Sequence, residues 1–312
     1  MYFTFQTALS SSQPIILYGI CWRRDATTKR LVTGGNKGIG FGIMKELSAK
    51  FDGLVYLTAR DEGRGLAAID ELSKLGLSAR FHQLDIDNAE SITTFADYIK
   101  KTHGGLDVLV NNAAIAYKVA ATEPFGEQAE NTIRVNVFGT LAVCRALFPL
   151  LRPHARVSTV SSSAGHLLRI NGDEPAASAL KQKFSSPTLT EDELCELMNQ
   201  FVQKAKEGTW KKAGWPNSTY AVSKVGVSAL TRIQQRAFDA DPRPGILVNC
   251  SHPGYVNTDM TSGKGPLTIE EGAVSPSYLA LLPPDVKEPR GAYLWYDKQI
   301  VDWVNGPTPS AY

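Results

Sequence analysis

Between Thr33 and Gly42 the chain reads Thr-Gly-Gly-Asn-Lys-Gly-Ile-Gly-Phe-Gly, with five glycines in ten residues. The apolar pair Leu31-Val32 precedes this stretch, and an amphipathic pattern, Ile43-Met44-x-x-Leu47, comes after it. Strand, glycine-rich turn and helix in that order form the context of a dinucleotide-binding turn. Glycine lets backbone approach a pyrophosphate closely, and a new helix offers it free N–H groups and a positive dipole end. The spacing is Gly34-x3-Gly38-x-Gly40 rather than the commoner G-x-G-x-x-G. Such turns also occur without ligands, so residues elsewhere in the chain must decide its meaning.

Downstream, strand and helix patterns alternate. Strands are expected at 54–59, 79–85, 106–110, 156–161, 246–250 and 291–295, with helices at 64–75, 88–101, 130–151, 218–238 and 270–281. Residues 106–110 (Leu-Asp-Val-Leu-Val) are almost continuously apolar, as in a strand buried on both faces. Such βαβ alternation predicts an α/β fold, one doubly wound parallel sheet with helices on both faces. From about 165 to 216 the alternation lapses into a polar insertion with its own helix at 194–205, announced by Thr-Leu-Thr-Glu-Asp-Glu at 188–193. Lys29 and Arg30 stand where the first strand should be apolar, so that strand is either about two residues short or joined to an unusual N-terminal sequence.

We therefore expect one domain over 29–312, preceded by an extension, 1–28, that is poor in acids and rich in Ser and Thr. That composition weakly resembles a mitochondrial presequence, but a loosely ordered extension with no part in function is the simpler reading. A net charge of +2 implies no nucleic-acid or membrane partner, and no apolar run approaches the roughly 20 residues of a membrane span. Cys21, Cys144, Cys195 and Cys250 are far apart, consistent with reduced thiols and a cytoplasmic setting. No cluster of His, Cys or acids has metal-ligand spacing, so no metal is expected.

In a doubly wound sheet, ligands bind outside the carboxyl ends of the strands. Those ends carry Thr33, Arg60, Asp85, Asn112, Ser161-Ser162 and His252-Pro253. An acid at the second strand tip accepts ribose hydroxyls, whereas a guanidinium suits a 2′-phosphate. Arg60 holds that tip, and Lys37 and Arg64 add charge nearby, so NADP(H) is favoured over NAD(H). An ion pair between Arg60 and Asp61 is the competing reading. Tyr220-Ala-Val-Ser-Lys224 opens a helix, which puts phenol and ammonium on one face. An adjacent ammonium lowers a phenol's pKa from ~10 and makes it a usable general acid. Alone such a pair arises often by chance. Asp85 could instead serve as a helix cap, and His252 is read as a structural donor rather than a base.

Taken together, the glycine turn, Asn111-Asn112-Ala113, Ser161-Ser162, Tyr220-x3-Lys224 and Pro253-Gly254 resemble a short-chain dehydrogenase/reductase, with its Rossmann sheet. Leu57-Thr-Ala-Arg-Asp61, the run Phe-His-Gln-Leu-Asp-Ile-Asp at 81–87, Gly-Trp-Pro at 214–216 and Tyr-Leu-Ala-Leu-Leu-Pro-Pro-Asp at 278–285 narrow the likeness to the NADPH-dependent carbonyl reductases. Their insertion before the catalytic Tyr is matched too, and it implies a monomer, because it covers the helix surface through which other members oligomerise. The resemblance implies that Tyr220 donates the proton, Ser162 hydrogen-bonds the substrate carbonyl and Lys224 lowers the Tyr pKa and holds the nicotinamide ribose. Asn136 would kink its helix and anchor a water. Contacts to NADPH/NADP+ would fall on Gly34, Asn36, Lys37, Gly38, Ile39, Gly40, Arg60, Arg64, Asp85, Ile86, Asn112, Tyr220 and Lys224, and on Val256, Asn257 and Thr258 for the carboxamide. Substrate would meet Ser162 and Tyr220.

Ser161 and Ser163 flank Ser162, which leaves a one-place register alternative open. Asn in mid-helix usually faces solvent, but the apolar neighbours of Asn136 argue against that. Ala114 stands where the family usually has Gly, and Ser163-Ala164 stand where a bulkier apolar pair is expected. The expected function is reduction of aldehydes, ketones or quinones. The alternatives are a dedicated reductase of one steroid, prostaglandin, pteridine or terpenoid ketone, and a catalytically silent NADP(H)-binding protein.

Overall fold

The computed structural model of the chain describes residues 28–51, 53–118 and 120–309, so all but Thr28 of the N-terminal extension lies outside the described residues, as does Cys21. Strand β1 (Lys29–Thr33) pairs in parallel with β2 (Leu54–Ala59) on one side and β4 (Leu106–Asn111) on the other. Beyond β2 lies β3 (Arg80–Gln83); beyond β4 come β5 (Leu151–Val160), β6 (Leu247–Ser251), β7 (Tyr293–Leu294) and β8 (Ile300–Val301). The order β3-β2-β1-β4-β5-β6-β7-β8 reverses direction between β1 and β4, which is the topological switch point. All pairings are parallel except β7 with β8. This antiparallel edge hairpin was not anticipated, because two two-residue strands leave almost no periodicity to read.

Successive strand residues feed opposite faces. Val32, Val55, Leu57, Val108 and Val110 pack with Ile43, Met44 and Leu47 of α1 (Gly38–Lys50), Leu72 of α2 (Glu62–Lys74) and Ala273 of α9 (Ile269–Ala280). Leu31, Tyr56, Leu109 and Val157 face α3 (Ala89–His103) and α5 (Thr140–Leu147). The apolar strands are thus buried on both faces, as their composition predicts.

Lys29 and Arg30 do not shorten β1. Both belong to it, and Arg30 is fully buried with its guanidinium carbon 3.4 Å from the Phe51 ring centroid. The ring face accepts the cation, while burial lowers its pKa to about 9 against the pull of Asp107.

The helix expected at 130–151 begins earlier and is not uniform. It runs as α4 (Phe125–Ile133), a π-helical turn (Arg134–Gly139), α5 and a 3₁₀ turn (Phe148–Leu150). By length and composition the stretch Phe125–Leu150 could span a bilayer, contrary to the sequence reading, but half of its most apolar window is buried inside the protein, as in a core helix. Strand β5 starts five residues earlier than expected. Its register slips between Leu106↔Leu151 and Val108↔Arg156, so residues around Pro153 and His154 (φ 64°) bulge from the ladder and hide the strand's beginning.

The insertion carries α6 (Ala176–Ser185), missed in the sequence, and α7 (Glu191–Lys206), opened by a capping box between Thr190 and Glu193. Leu194, Leu197, Met198 and Phe201 of α7 join Trp215 and residues of α4 and of α8 (Thr219–Asp239) in one apolar cluster. The insertion is therefore part of the core.

Candidate active site

At the switch point, β1 and β4 are locked together at their carboxyl ends. Thr33 Oγ1 accepts from the backbone N–H of Asn112 (2.9 Å) and Ala113 (3.1 Å), and the Asn112 amide donates to the carbonyls of Thr33 (2.9 Å) and Gly34 (3.0 Å). Gly34 turns the chain at φ 63°. A Cβ on Gly40 would lie 2.3 Å from the Gly34 carbonyl and 2.4 Å from the Asn112 amide nitrogen, so only glycine lets α1 start this close to the strand ends. Helix α1 begins after Lys37 with no side-chain cap and no acid in its first turn. Its N–H groups and dipole end are thereby left for an anion. This sequence expectation therefore has a structural counterpart, although Asn112 itself is engaged in shaping the loop.

The cations divide unequally. Arg60 and Arg64 are exposed, and no carboxylate pairs with either of them among the described residues. Asp61 does not pair with Arg60; its carboxylate caps α2 by accepting from Arg64 N (2.8 Å). Lys37 reaches the loop after β6 and pairs with Asp259 at 2.9 Å, which the sequence reading did not foresee. Asp85 is no helix cap: Asn88 caps α3, while the Asp85 carboxylate accepts from Asp87 N (3.0 Å). Ile86 is buried and its carbonyl lies 2.7 Å from where a Cβ on Gly139 would sit, so the loop presses on the π turn. Val256 is buried; the main chain around it is held by Asn257 N to Leu267 O (2.8 Å) and Thr258 N to Thr261 Oγ1 (3.1 Å).

Ser218 caps α8 by accepting from Ala221 N (3.1 Å), which places Tyr220 in the first turn and Lys224 one turn on. Lys224 is buried; its Nζ donates to Val160 O (2.7 Å), the last residue of β5, and lies 5.7 Å from the Tyr220 ring centroid. The Ser162 hydroxyl is close enough to the Tyr220 phenol to pull its pKa down. Ser162 Oγ also accepts from Ala164 N (3.1 Å). Ser161 instead turns under α8, sharing a 2.7 Å hydrogen bond with Ser228, so of these two serines Ser162 is the neighbour of Tyr220.

The expected lowering of the phenol is reversed in the folded chain. Burial pushes Tyr220 up to about 12 against the opposite pull of the Ser162 hydroxyl, and pushes Lys224 down to about 8. Taking either charge out of water costs more than the neighbouring groups return.

Asn136 sits inside the π turn, a feature often found at functional sites, and does not face solvent. Its amide donates to Ile115 O (2.9 Å) and Ser223 Oγ (3.0 Å), and its oxygen accepts from Ile115 N (2.8 Å). Ser223 in turn donates to Tyr220 O (2.8 Å). The chain Ile115–Asn136–Ser223–Tyr220 thus ties the loop after β4 to the start of α8. Ser223 was missed, although its place within Tyr220-x3-Lys224 was a signal. His252 does not donate through Nδ1, which accepts from Gly254 N (3.3 Å); buried against Trp295, its pKa falls to about 4.

A parallel sheet reversing at β1/β4, an uncapped helix behind a glycine turn, and a Tyr–Ser–Lys group at the next strand end define a class. The chain belongs to the short chain dehydrogenases: the family's model matches residues 29–179. The chain is 50% identical over 275 residues to carbonyl reductase [NADPH] 1 of Homo sapiens, covering 88% of this chain and 97% of that one. Among solved structures, salutaridine reductase from Papaver somniferum aligns with a TM-score of 0.76 at 33% identity, over 86% of this chain and 99% of that one. Menthone neomenthol reductase from Mentha piperita aligns with a TM-score of 0.70 at 30% identity, over 86% and 98%.

Proposed function

We propose that this protein reduces aldehydes, ketones or quinones with NADPH. The observation that carries the reading is the grouping of Tyr220 and buried Lys224 on the first turns of α8, with Lys224 tied to the end of the strand that delivers Ser162, beside the glycine turn. The naming of the half-identical relative as an NADPH carbonyl reductase supports it. Gly34, Asn36, Lys37, Gly38, Ile39, Gly40 and Asn112 would hold the cofactor's diphosphate end, and Arg60 and Arg64 its 2′-phosphate. Asp85, Ile86, Val256, Asn257 and Thr258 would line the remainder. The uncapped α1 terminus and two exposed arginines, whose guanidinium groups have no ion-pair partner among the described residues, fit an anion of that shape.

When bound, NADPH supplies the hydride that reaches the carbonyl carbon. Tyr220 gives its phenolic proton to the carbonyl oxygen as the C=O bond is reduced. A value near 12 keeps the phenol protonated across physiological pH but makes it a weak acid, so the transfer depends on the charge beside it to stabilise the phenolate. Ser162, whose oxygen accepts from Ala164 N, would turn its O–H to the developing oxyanion. Lys224, charged below about pH 8, offsets the phenolate that Tyr220 becomes and would hold the nicotinamide ribose. Asn136 holds the site together through Ile115 and Ser223 and would anchor a water for proton return.

Leu168, Tyr255 and Met260 are large and exposed, on the segments after β5 and β6; they suit an apolar carbonyl compound. We read the protein as one reductase domain over 29–312, monomeric because α7 covers α4 and α8, and cytoplasmic because Cys144, Cys195 and Cys250 are free thiols. The test uses NADPH deuterated at the reactive position with an aromatic ketone. Label on the carbinol carbon is expected; alcohol without label, or no alcohol, rejects the proposal.

A further inference from the structure

The backbone on either side of Ser162 is not held by its own strand alone. Ser162 O accepts two hydrogen bonds, from Gly165 N (2.8 Å) and from the Tyr293 hydroxyl (2.6 Å). Tyr293 lies on β7, two strands away, and is 3% exposed. Three residues beyond Ser162, Gly165 O accepts from Trp303 Nε1 (2.6 Å), and the next residue, His166, reaches Asp302 O through Nε2 (3.1 Å). His166 Nδ1 accepts from Leu168 N (3.2 Å), which makes Nε2 the donor and fixes the neutral tautomer. Gly165 has no room to move: a Cβ there would meet Ser161 Oγ at 2.3 Å and Lys224 O at 2.8 Å. The C-terminal β7–β8 hairpin and the residues after it therefore grip the turn after Ser162 at three points.

We propose that Tyr293 is a positioning residue for carbonyl reduction: its hydroxyl, anchored on β7, fixes Ser162 at the distance from Tyr220 at which both can address one carbonyl oxygen. The alternative is that a buried phenol merely finds a partner for its O–H. Two features favour positioning. The acceptor is the main-chain oxygen of the residue beside Tyr220, and the Trp303 and His166 contacts brace the same turn. Small displacements at a reacting centre are costly, about 100-fold for 1 Å.

This inference rests on the carbonyl-reductase reading, and its test separates the two. Tyr293→Phe is made in the wild-type and Ser162→Ala backgrounds. In the wild type we expect kcat with an aromatic ketone to fall about 10- to 100-fold, with unchanged NADPH affinity. In Ser162→Ala we expect no further fall, because a residue acting through Ser162 has nothing left to position. Equal losses in both backgrounds, or no loss in either, overturn the proposal. A crystal structure of Tyr293→Phe reads Ser162 directly, whether or not the enzyme turns over. Ser162 Oγ displaced relative to Tyr220 from its wild-type position is expected; an unmoved Ser162 overturns the inference, while wild-type inactivity with a displaced Ser162 faults only the functional reading.

Discussion

Lys224 donates from Nζ to the main-chain oxygen of Val160 at 2.7 Å, so the ammonium on α8 is tied to the strand that delivers Ser162. One hydrogen bond thereby fixes the spacing of sheet and helix where Tyr220 and Ser162 meet. It also holds a charge in a buried place, with consequences for both rate and stability.

The reduction rate should fall as pH rises through about 8. Burial lowers Lys224 from 10.5 to about 8, so its charge is present below that value and lost above it. Tyr220, near 12, stays protonated throughout and cannot cause the fall. A pH profile of kcat in the reductive direction checks this; a flat profile to pH 10 contradicts it.

Stability should move the opposite way. The unfolded chain holds the Lys224 proton up to 10.5 and the folded chain only to about 8, so folding gains from this group as pH rises between those values. The charged folded state at neutral pH therefore carries a cost of about 3 kcal/mol. Lys224→Met should abolish reduction while keeping or raising the midpoint of denaturant unfolding at pH 7. A strongly destabilised variant would mean the Val160 hydrogen bond outweighs the buried charge.

Arg60→Asp should reverse cofactor preference. Removing one charge-assisted contact to a phosphate costs about 1.5–3 kcal/mol, or roughly 10- to 100-fold in affinity. NADPH binding should weaken by that factor while NADH binding is kept or improved, as read by fluorescence titration. Arg64→Ala should weaken NADPH binding in the same direction.

Much of this site could be read from the chain, and what could not has physical causes. Thr33, the glycine turn, Tyr220 and Lys224 lie on continuous stretches whose local pattern specifies their geometry: a turn that only Gly40 permits, a helix that Ser218 caps. Tyr293 and Trp303 are different. They reach Ser162 and Gly165 across more than 130 residues of sequence, from in and just beyond two-residue strands with no periodicity of their own. Arg30 misled because a strand's alternation says nothing of the Phe51 ring that receives a buried guanidinium. The pKa of Tyr220 was read from Lys224 alone, whereas burial, invisible in a spacing, sets the sign.

Asn136→Ala should damage structure and activity together. It deletes three hydrogen bonds from a buried amide and leaves the Ile115 backbone unsatisfied at both its groups. A loss of about 2–3 kcal/mol is expected by denaturant unfolding, since buried unpaired polar groups cost about 1–3 kcal/mol each. Unchanged stability would show that water takes over the contacts.

The central claim is that Tyr220 is the proton donor to a carbonyl reduced by NADPH. Initial rates of NADPH consumption with an aromatic ketone, compared between wild type and Tyr220→Phe with NADPH affinity measured on both, test it most directly. We predict loss of the rate by on the order of 10²- to 10⁴-fold, the range for removing a general acid, with cofactor affinity intact. A Tyr220→Phe protein that turns over at the wild-type rate, or a wild type that binds NADPH and never consumes it, would contradict the account.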